Sequence, residues 1–143
     1  MRKQRRREVV VTGIGQVSPC GTHIEPFWDA LVNARSSVGF LSGHYRRHLM
    51  VELAAMCTDD LSPWVSRAQS ATLDRTAQLA LSASIMAMAD AKLNLTDEER
   101  SRAGIYFGTG PGSASTTDQS VSAAYLDPER KARPLNSSHG LPF

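Results

Sequence analysis

Few residues in this chain are of a type to do chemistry, and they are scattered. There are two cysteines, Cys20 and Cys57, and four histidines, His23, His44, His48 and His139. Two glycine-rich turns accompany them, "TGIGQVSPCG" from Thr12 and "GTGPGS" from Gly108. The first turn follows the apolar run Val9, Val10, Val11, which is how a phosphate-binding loop begins. A dinucleotide fingerprint needs G-x-G-x-x-G opening directly into a helix whose first amides hold the pyrophosphate, with an acidic residue about 20 positions on for the ribose. Here Gly13 and Gly15 are followed by Ser18, the next glycine is Gly21, and helical spacing starts only near Ile24. Pro19 also removes a backbone N–H from the loop. The spacing therefore argues against an NAD(P)-binding oxidoreductase. "GTGPGS" lacks the Lys-Ser/Thr of a P-loop, so both sets of glycines point to backbone geometry instead.

The other reactive residues form no motif. His44 and His48 stand four apart in "HYRRH", but two arginines between them would repel a cation and no metalloprotease glutamate is present. A surface loop is expected there, with no metal site. Cys20 and Cys57 lack CxxC spacing and read as reduced thiols with no framework role. No nucleophile, base and orienting acid can be ordered from these residues, so no catalytic residue is assigned.

The elements that must position these residues alternate. Residues 9–12 read as a fully buried strand, because an unbroken β-prone run needs cover on both faces. Thr22 and Glu25 have capping-box spacing, and Ile24, Phe27, Trp28 and Leu31 repeat helically behind them. Residues 35–43 read as a loop, 49–56 as either a strand or a short helix, and 61–70 as irregular around Pro63. The longest element is a helix over residues 73–93, in which 14 residues between Arg75 and Asp90 carry no charge. Such a helix is expected to be buried on more than one side, with Ala77, Ala80, Ser84, Ala87 and Ala91 on a close-packing face and its methionines filling core. Thr96 and Glu99 repeat the capping-box spacing before a short turn. A second strand then runs into "GTGPGS", and residues 118–125 read as a last helix. This order predicts an α/β fold, a mixed sheet with helices on both faces.

Charge and length set the remaining bounds. The 143 residues, 41% hydrophobic, suffice for one folded unit, and no window reaches the about 18 apolar residues of a membrane span. The expected location is cytoplasmic. Five of the basic residues fall in residues 1–7, which read as a basic flexible tail without the aromatics or motif of a nucleic-acid site. The folded unit is expected over residues 8–127, and residues 128–143 form a Pro/Ser/Gly-rich loop.

Three stretches together resemble a known family. "RREVVVTGIGQVSPCGTHIEPFWDAL" is similar to the amino-terminal segment of β-ketoacyl-[acyl-carrier-protein] synthases, with its V-V-V/I-T-G-x-G-x-x-S/T-P-x-G turn and F-W-x-x-L helix. "LDRTAQLALSASIMAMADAKL" resembles the family's D-R-led helix ending in D-A-G-L, and "RAGIYFGTGPGS" its strand and G-T/S-G-x-G-G turn. The resemblance implies an incomplete amino-terminal half of a thiolase-like layered fold, normally dimeric. It implies a decarboxylative Claisen condensation of an acyl thioester with malonyl carrier protein, in fatty-acid or polyketide synthesis, with no cofactor. The family's nucleophilic cysteine, its histidines and its supporting lysine have no counterpart here. Cys20 falls at the variable position between Pro19 and Gly21, and Cys57 in the irregular middle. The chain is thus expected to be a truncated synthase that is inactive alone, or else a non-catalytic subunit pairing with a full-length synthase.

What carries over by position is the turn Gly108, Thr109, Gly110 and Pro111, as a wall of the acyl pocket. Pro111 stands where many members have an apolar gate residue, and Ser113 where they have glycine. The partner implied is acyl carrier protein, which docks in many members on a Lys/Arg cluster before the long helix. Arg67 and Arg75 remain of that cluster, with uncharged residues between, so docking there should be weakened.

Overall fold

The computed structural model describes residues 8–41, 49–110 and 112–126. The order of elements is α1 (Ile24–Val32), β1 (Val38–Phe40), β2 (Leu53–Ala55), α2 (Arg67–Thr72), α3 (Arg75–Asp90), α4 (Asp97–Arg102) and α5 (Ala114–Leu126). The expected tail at 1–7 and loop at 128–143 lie outside the described residues, as do His44, His48, His139 and Pro111.

α3 is the element on which the two glycine turns hang. Asp74 caps it, one carboxylate oxygen accepting from the Ala77 amide at 2.8 Å. Its other end closes in a paired turn, Lys92 N–H to the Ala89 carbonyl and Leu93 N–H to that of Met88, both at 3.0 Å. This closure holds Lys92 at φ 50°, the left-handed region that glycine tolerates best. α1 ends the same way, with Arg35 N–H on the Ala30 carbonyl and Ala34 at φ 51°.

The first turn packs onto α3 at Ala83, Ala87 and Ala91, residues four apart and so on one face. A methyl group on Gly15 would stand 2.5 Å from the Ala87 nitrogen and 2.8 Å from the Met86 Cβ, and would overlap the Ala83 carbonyl. One on Gly13 would stand 2.6 Å from the Ala91 nitrogen and would overlap the Ala87 carbonyl. Of the five small residues expected on the close-packing face of α3, Ala87 and Ala91 meet the turn, joined by Ala83; Ala77, Ala80 and Ser84 are not among the residues nearest its glycines. The two serines beside Ala83 turn inward on the helix itself: Ser82 donates to the Gln78 carbonyl and Ser84 to that of Ala80.

Several expectations are corrected. The capping box expected at Thr22 and Glu25 is not formed: His23 is the N-cap of α1 without a side-chain cap bond, and Thr22 is buried one residue earlier. The loop over 35–43 contains β1, and 49–56 resolves into β2, antiparallel to β1 with Gly39 opposite Ala54. The stretch expected to be irregular holds α2, whose Ser66 and Gln69 make a capping box of the same S/T-x-x-E/Q spacing. The last helix begins four residues earlier than expected, at Ala114.

The largest correction concerns the sheet. Among the described residues the only sheet is the two-stranded β1–β2 pair. Residues 9–12 and 104–107 carry no ladder. Val9, Val10 and Val11 are 93%, 74% and 81% exposed, where burial on both faces was expected. Ile105 and Tyr106 are as open. α3 likewise has one packed face and one without cover, so Ser82 alone is buried in it while Ile85 and Met88 reach solvent. Strand-forming side chains gain burial only when partner strands lie beside them, and none of the described residues supplies one.

Candidate functional site

The turn after residues 104–107 is fixed at one end and open at the other. Gly112 takes φ 63°, and its carbonyl accepts the Thr76 hydroxyl at 3.0 Å. Ser113 behind it is buried, so the turn leaves α3 at its first helical turn and feeds α5. Gly108, Thr109 and Gly110 are exposed, and neither glycine has an atom within reach of an added methyl group. Thr76 was not singled out from sequence; its place directly after the D-R start of the helix is the signal that could have found it.

A groove of about 610 Å³ opens beside the start of α3, lined by Asp59, Asp60, Ser62, Arg67, Arg75 and Gln78 among others. Both arginines named from the sequence thus reach one surface. They are not equivalent. The Arg75 guanidinium donates to the Cys57 carbonyl at 2.8 Å and to that of Asp59 at 3.3 Å, which ties the β2 exit to α3. Asp60 is held below its ordinary value of 3.8 by hydrogen bonds from the Ser62 hydroxyl and amide, so it is ionised at neutral pH. The groove therefore presents carboxylates beside its arginines.

The cysteines lie in different settings. Cys20 accepts the Ser37 hydroxyl at 2.9 Å. Cys57 has its thiol pushed above its ordinary value of 9.0, chiefly by burial, with Arg75 opposing and Asp59 and Cys20 adding to the rise. A thiol in that state is protonated at neutral pH and a poor nucleophile. Both cysteines are free, and among the described residues no cluster of three His, Cys, Asp or Glu side chains could hold a metal. No helix among them is long and apolar enough to cross a membrane.

The cavity beside the first turn, about 260 Å³, is lined by the carboxylates of Glu25 and Asp90, which disfavour a phosphate there. The Ile14 amide of the turn donates to the Asp90 carboxylate at 2.8 Å, and the helix backbone of α3 occupies the space the glycines open. Gln16 closes the turn from within, its side-chain amide donating to the Gly21 and His23 carbonyls.

Residues 6–139 match the family described as "Beta-ketoacyl synthase, N-terminal domain". The chain belongs to that family. Two ketosynthase relatives illustrate the range: a 3-oxoacyl-[acyl-carrier-protein] synthase 2 of Vibrio harveyi is 29% identical over 91% of this chain and 32% of its own length. A polyketide beta-ketoacyl synthase 1 of Streptomyces halstedii is 38% identical over 74% of this chain and 25% of its own. Among solved structures, the ishigamide ketosynthase/chain length factor superposes with a TM-score of 0.73 at 23% identity, over 92% of this chain and 33% of that one. A beta-ketoacyl synthase from Burkholderia phymatum gives 0.72 over similar shares. The fold is the ketosynthase, thiolase-like one, and the match spans between a quarter and a third of the length of these relatives.

Proposed function

We propose that this chain supplies the amino-terminal part of a β-ketoacyl-[acyl-carrier-protein] synthase, and that its second glycine turn, Gly108, Thr109, Gly110 and Pro111, walls the acyl pocket. The family match across residues 6–139 is the observation that carries this reading. The reaction is a decarboxylative Claisen condensation. An acyl group passes to a thiolate, malonyl thioester loses CO₂, and the resulting carbanion attacks the acyl carbonyl and expels the thiolate. The contribution of this chain is a shaped scaffold, not the nucleophile. Support for that comes from the open face of Gly108 and Gly110, which can lie along an acyl chain without a side chain intervening.

The carrier-protein partner follows from the same reading. Arg67 and Arg75 supply positive charge for an acidic partner, and Asp59 and Asp60 in the same groove offset it, so docking at this face is weaker than on a basic cluster. The test is direct. The purified 143-residue chain, given malonyl carrier protein, should release no CO₂. The same chain completed by the remainder of a ketosynthase should release it and form a β-ketoacyl product. Decarboxylation by the chain alone would overturn the scaffold assignment.

A further inference from the structure

We infer that Thr76 is a positioning residue for acyl-chain selection: its hydroxyl sets where the rim Gly108, Thr109 and Gly110 stands, and so how sharply chain length is discriminated; this rests on the reading of that turn as a pocket wall. Thr76 differs from comparable residues in where its hydroxyl goes. Thr72, Ser82, Ser84 and Ser120 each donate to a carbonyl of their own helix. The Thr76 hydroxyl instead crosses 36 positions of sequence to the Gly112 carbonyl, at 3.0 Å.

Both ends of that bond are prepared for it. On α3, the Asp74 carboxylate accepts the Ala77 amide at 2.8 Å, the Asp74 carbonyl accepts the Gln78 amide at 3.0 Å, and Arg75 is tied to the Cys57 and Asp59 carbonyls. Thr76 is thus offered from a fixed backbone. On the turn, Gly112 at φ 63° carries the accepting carbonyl, and Ser113 behind it is buried. The rim has no comparable support, since a Cβ added at Gly108 or Gly110 meets no atom within 4 Å. A rim without such contacts takes its place from its anchor, which begins two residues after Gly110. A pocket wall excludes extra methylenes, each worth about tenfold or more in kcat/KM, only as far as it keeps that place.

The test uses the chain completed by the remainder of the Streptomyces halstedii synthase, given acyl pantetheine thioesters of graded length. In Thr76→Val, the ratio of kcat/KM for the preferred acyl length to that for a chain two carbons longer should fall about tenfold, and Thr76→Ser should restore it to within about twofold. Loss of folded enzyme lowers both members of this ratio alike, so the ratio separates positioning from stability. Gly110→Leu probes the wall directly and should shift the preference to shorter chains. A preference moved by Gly110→Leu with a ratio untouched by Thr76→Val would overturn the role of Thr76 and leave the wall standing. A preference that neither variant changes would remove the acyl-pocket reading, and the role of Thr76 with it. The chain alone covers the case in which the completed enzyme is inactive. Backbone amide order parameters at Thr109, Gly110 and Gly112 should fall by about 0.2 in Thr76→Val and recover in Thr76→Ser. Equal values in the parent and Thr76→Val would likewise overturn the inference.

Discussion

Gly15 lies so close to the backbone of α3 that a methyl group there would meet Ala87 and Met86, whereas Gly108 and Gly110 face open space. Two turns of similar composition thus use glycine for different physical ends. In the first, the missing side chain permits contact between the turn and a helix. In the second, it leaves a bare rim next to the solvent, and only Gly112 needs a conformation that other residues avoid. A glycine-rich turn does not by itself indicate a ligand; what stands opposite each glycine decides.

The sharpest way to break the comparison is to add one methyl group to each turn. Gly15→Ala should destabilise the chain by about 3 kcal/mol or leave it unable to fold, because the atoms it meets belong to helix backbone and cannot move aside. Gly108→Ala and Gly110→Ala should each change stability by less than about 0.5 kcal/mol. Urea melts of the three variants check this. Equal loss from Gly15→Ala and Gly110→Ala would mean that the two turns are packed alike.

Within the second turn the expected effects are smaller and separable. Thr76→Val keeps the shape of the side chain and removes the hydroxyl on the Gly112 carbonyl, at a cost of about 1 kcal/mol. Gly112→Ala forces a Cβ into the left-handed region, at a cost of about 1 to 2 kcal/mol, although nothing crowds it. Denaturant midpoints read both. A chain carrying Gly112→Ala that is as stable as the parent would mean that the turn changes its path.

The way these turns were legible in the sequence follows the same division. Local signals were readable: Thr96 and Glu99 do form their capping box, and α3 lies inside the stretch predicted as helix. The T-x-x-E spacing at Thr22 and Glu25 misled because the buried Thr22 sits one residue before the cap, a tertiary constraint that spacing does not carry. The strands at 9–12 and 104–107 misled for a non-local reason. β-propensity reports how a side chain fits among neighbours on a sheet, and those neighbours are not among the described residues. In the candidate site, the arginines and the turn were found from family resemblance, while Thr76, Ser62 and Asp60 are joined to them only by the fold.

A substitution at the far end of α3 sharpens the first turn instead of breaking it. Lys92 occupies the left-handed position directly after Ala91, the residue that Gly13 touches, and stands where the family motif has glycine. Lys92→Gly should stabilise the chain by about 1 kcal/mol, since the helix closure is kept and the conformational penalty is removed. Ala34→Gly, at the matching closure of α1, should do the same without acting on either turn. A raised midpoint in both, with slower amide exchange at Ile14 in Lys92→Gly only, would tie the gain to the packed turn.

The smallest effect lies on the side of the open turn, in the helix that leads into residues 104–107. Glu99 accepts from the Thr96 amide at 2.8 Å and from its hydroxyl at 2.9 Å, and these bonds hold its carboxyl below the ordinary value of 4.5. A carboxyl whose folded value is depressed binds its proton more weakly folded than unfolded. Its contribution to stability is therefore complete above pH 4.5 and is lost as the pH falls through the lower folded value. Exchange of the α4 amides should accelerate in that window, and Glu99→Gln should flatten the dependence while keeping an acceptor for the Thr96 amide. Glu99 is fully exposed and the effect is confined to one short helix, so the first turn should not respond to the Glu99 titration. If Glu99→Gln altered the pH dependence of the Gly13 and Gly15 amides as well, the two turns would be coupled through α3, and their separate roles would have to be replaced by a single cooperative unit.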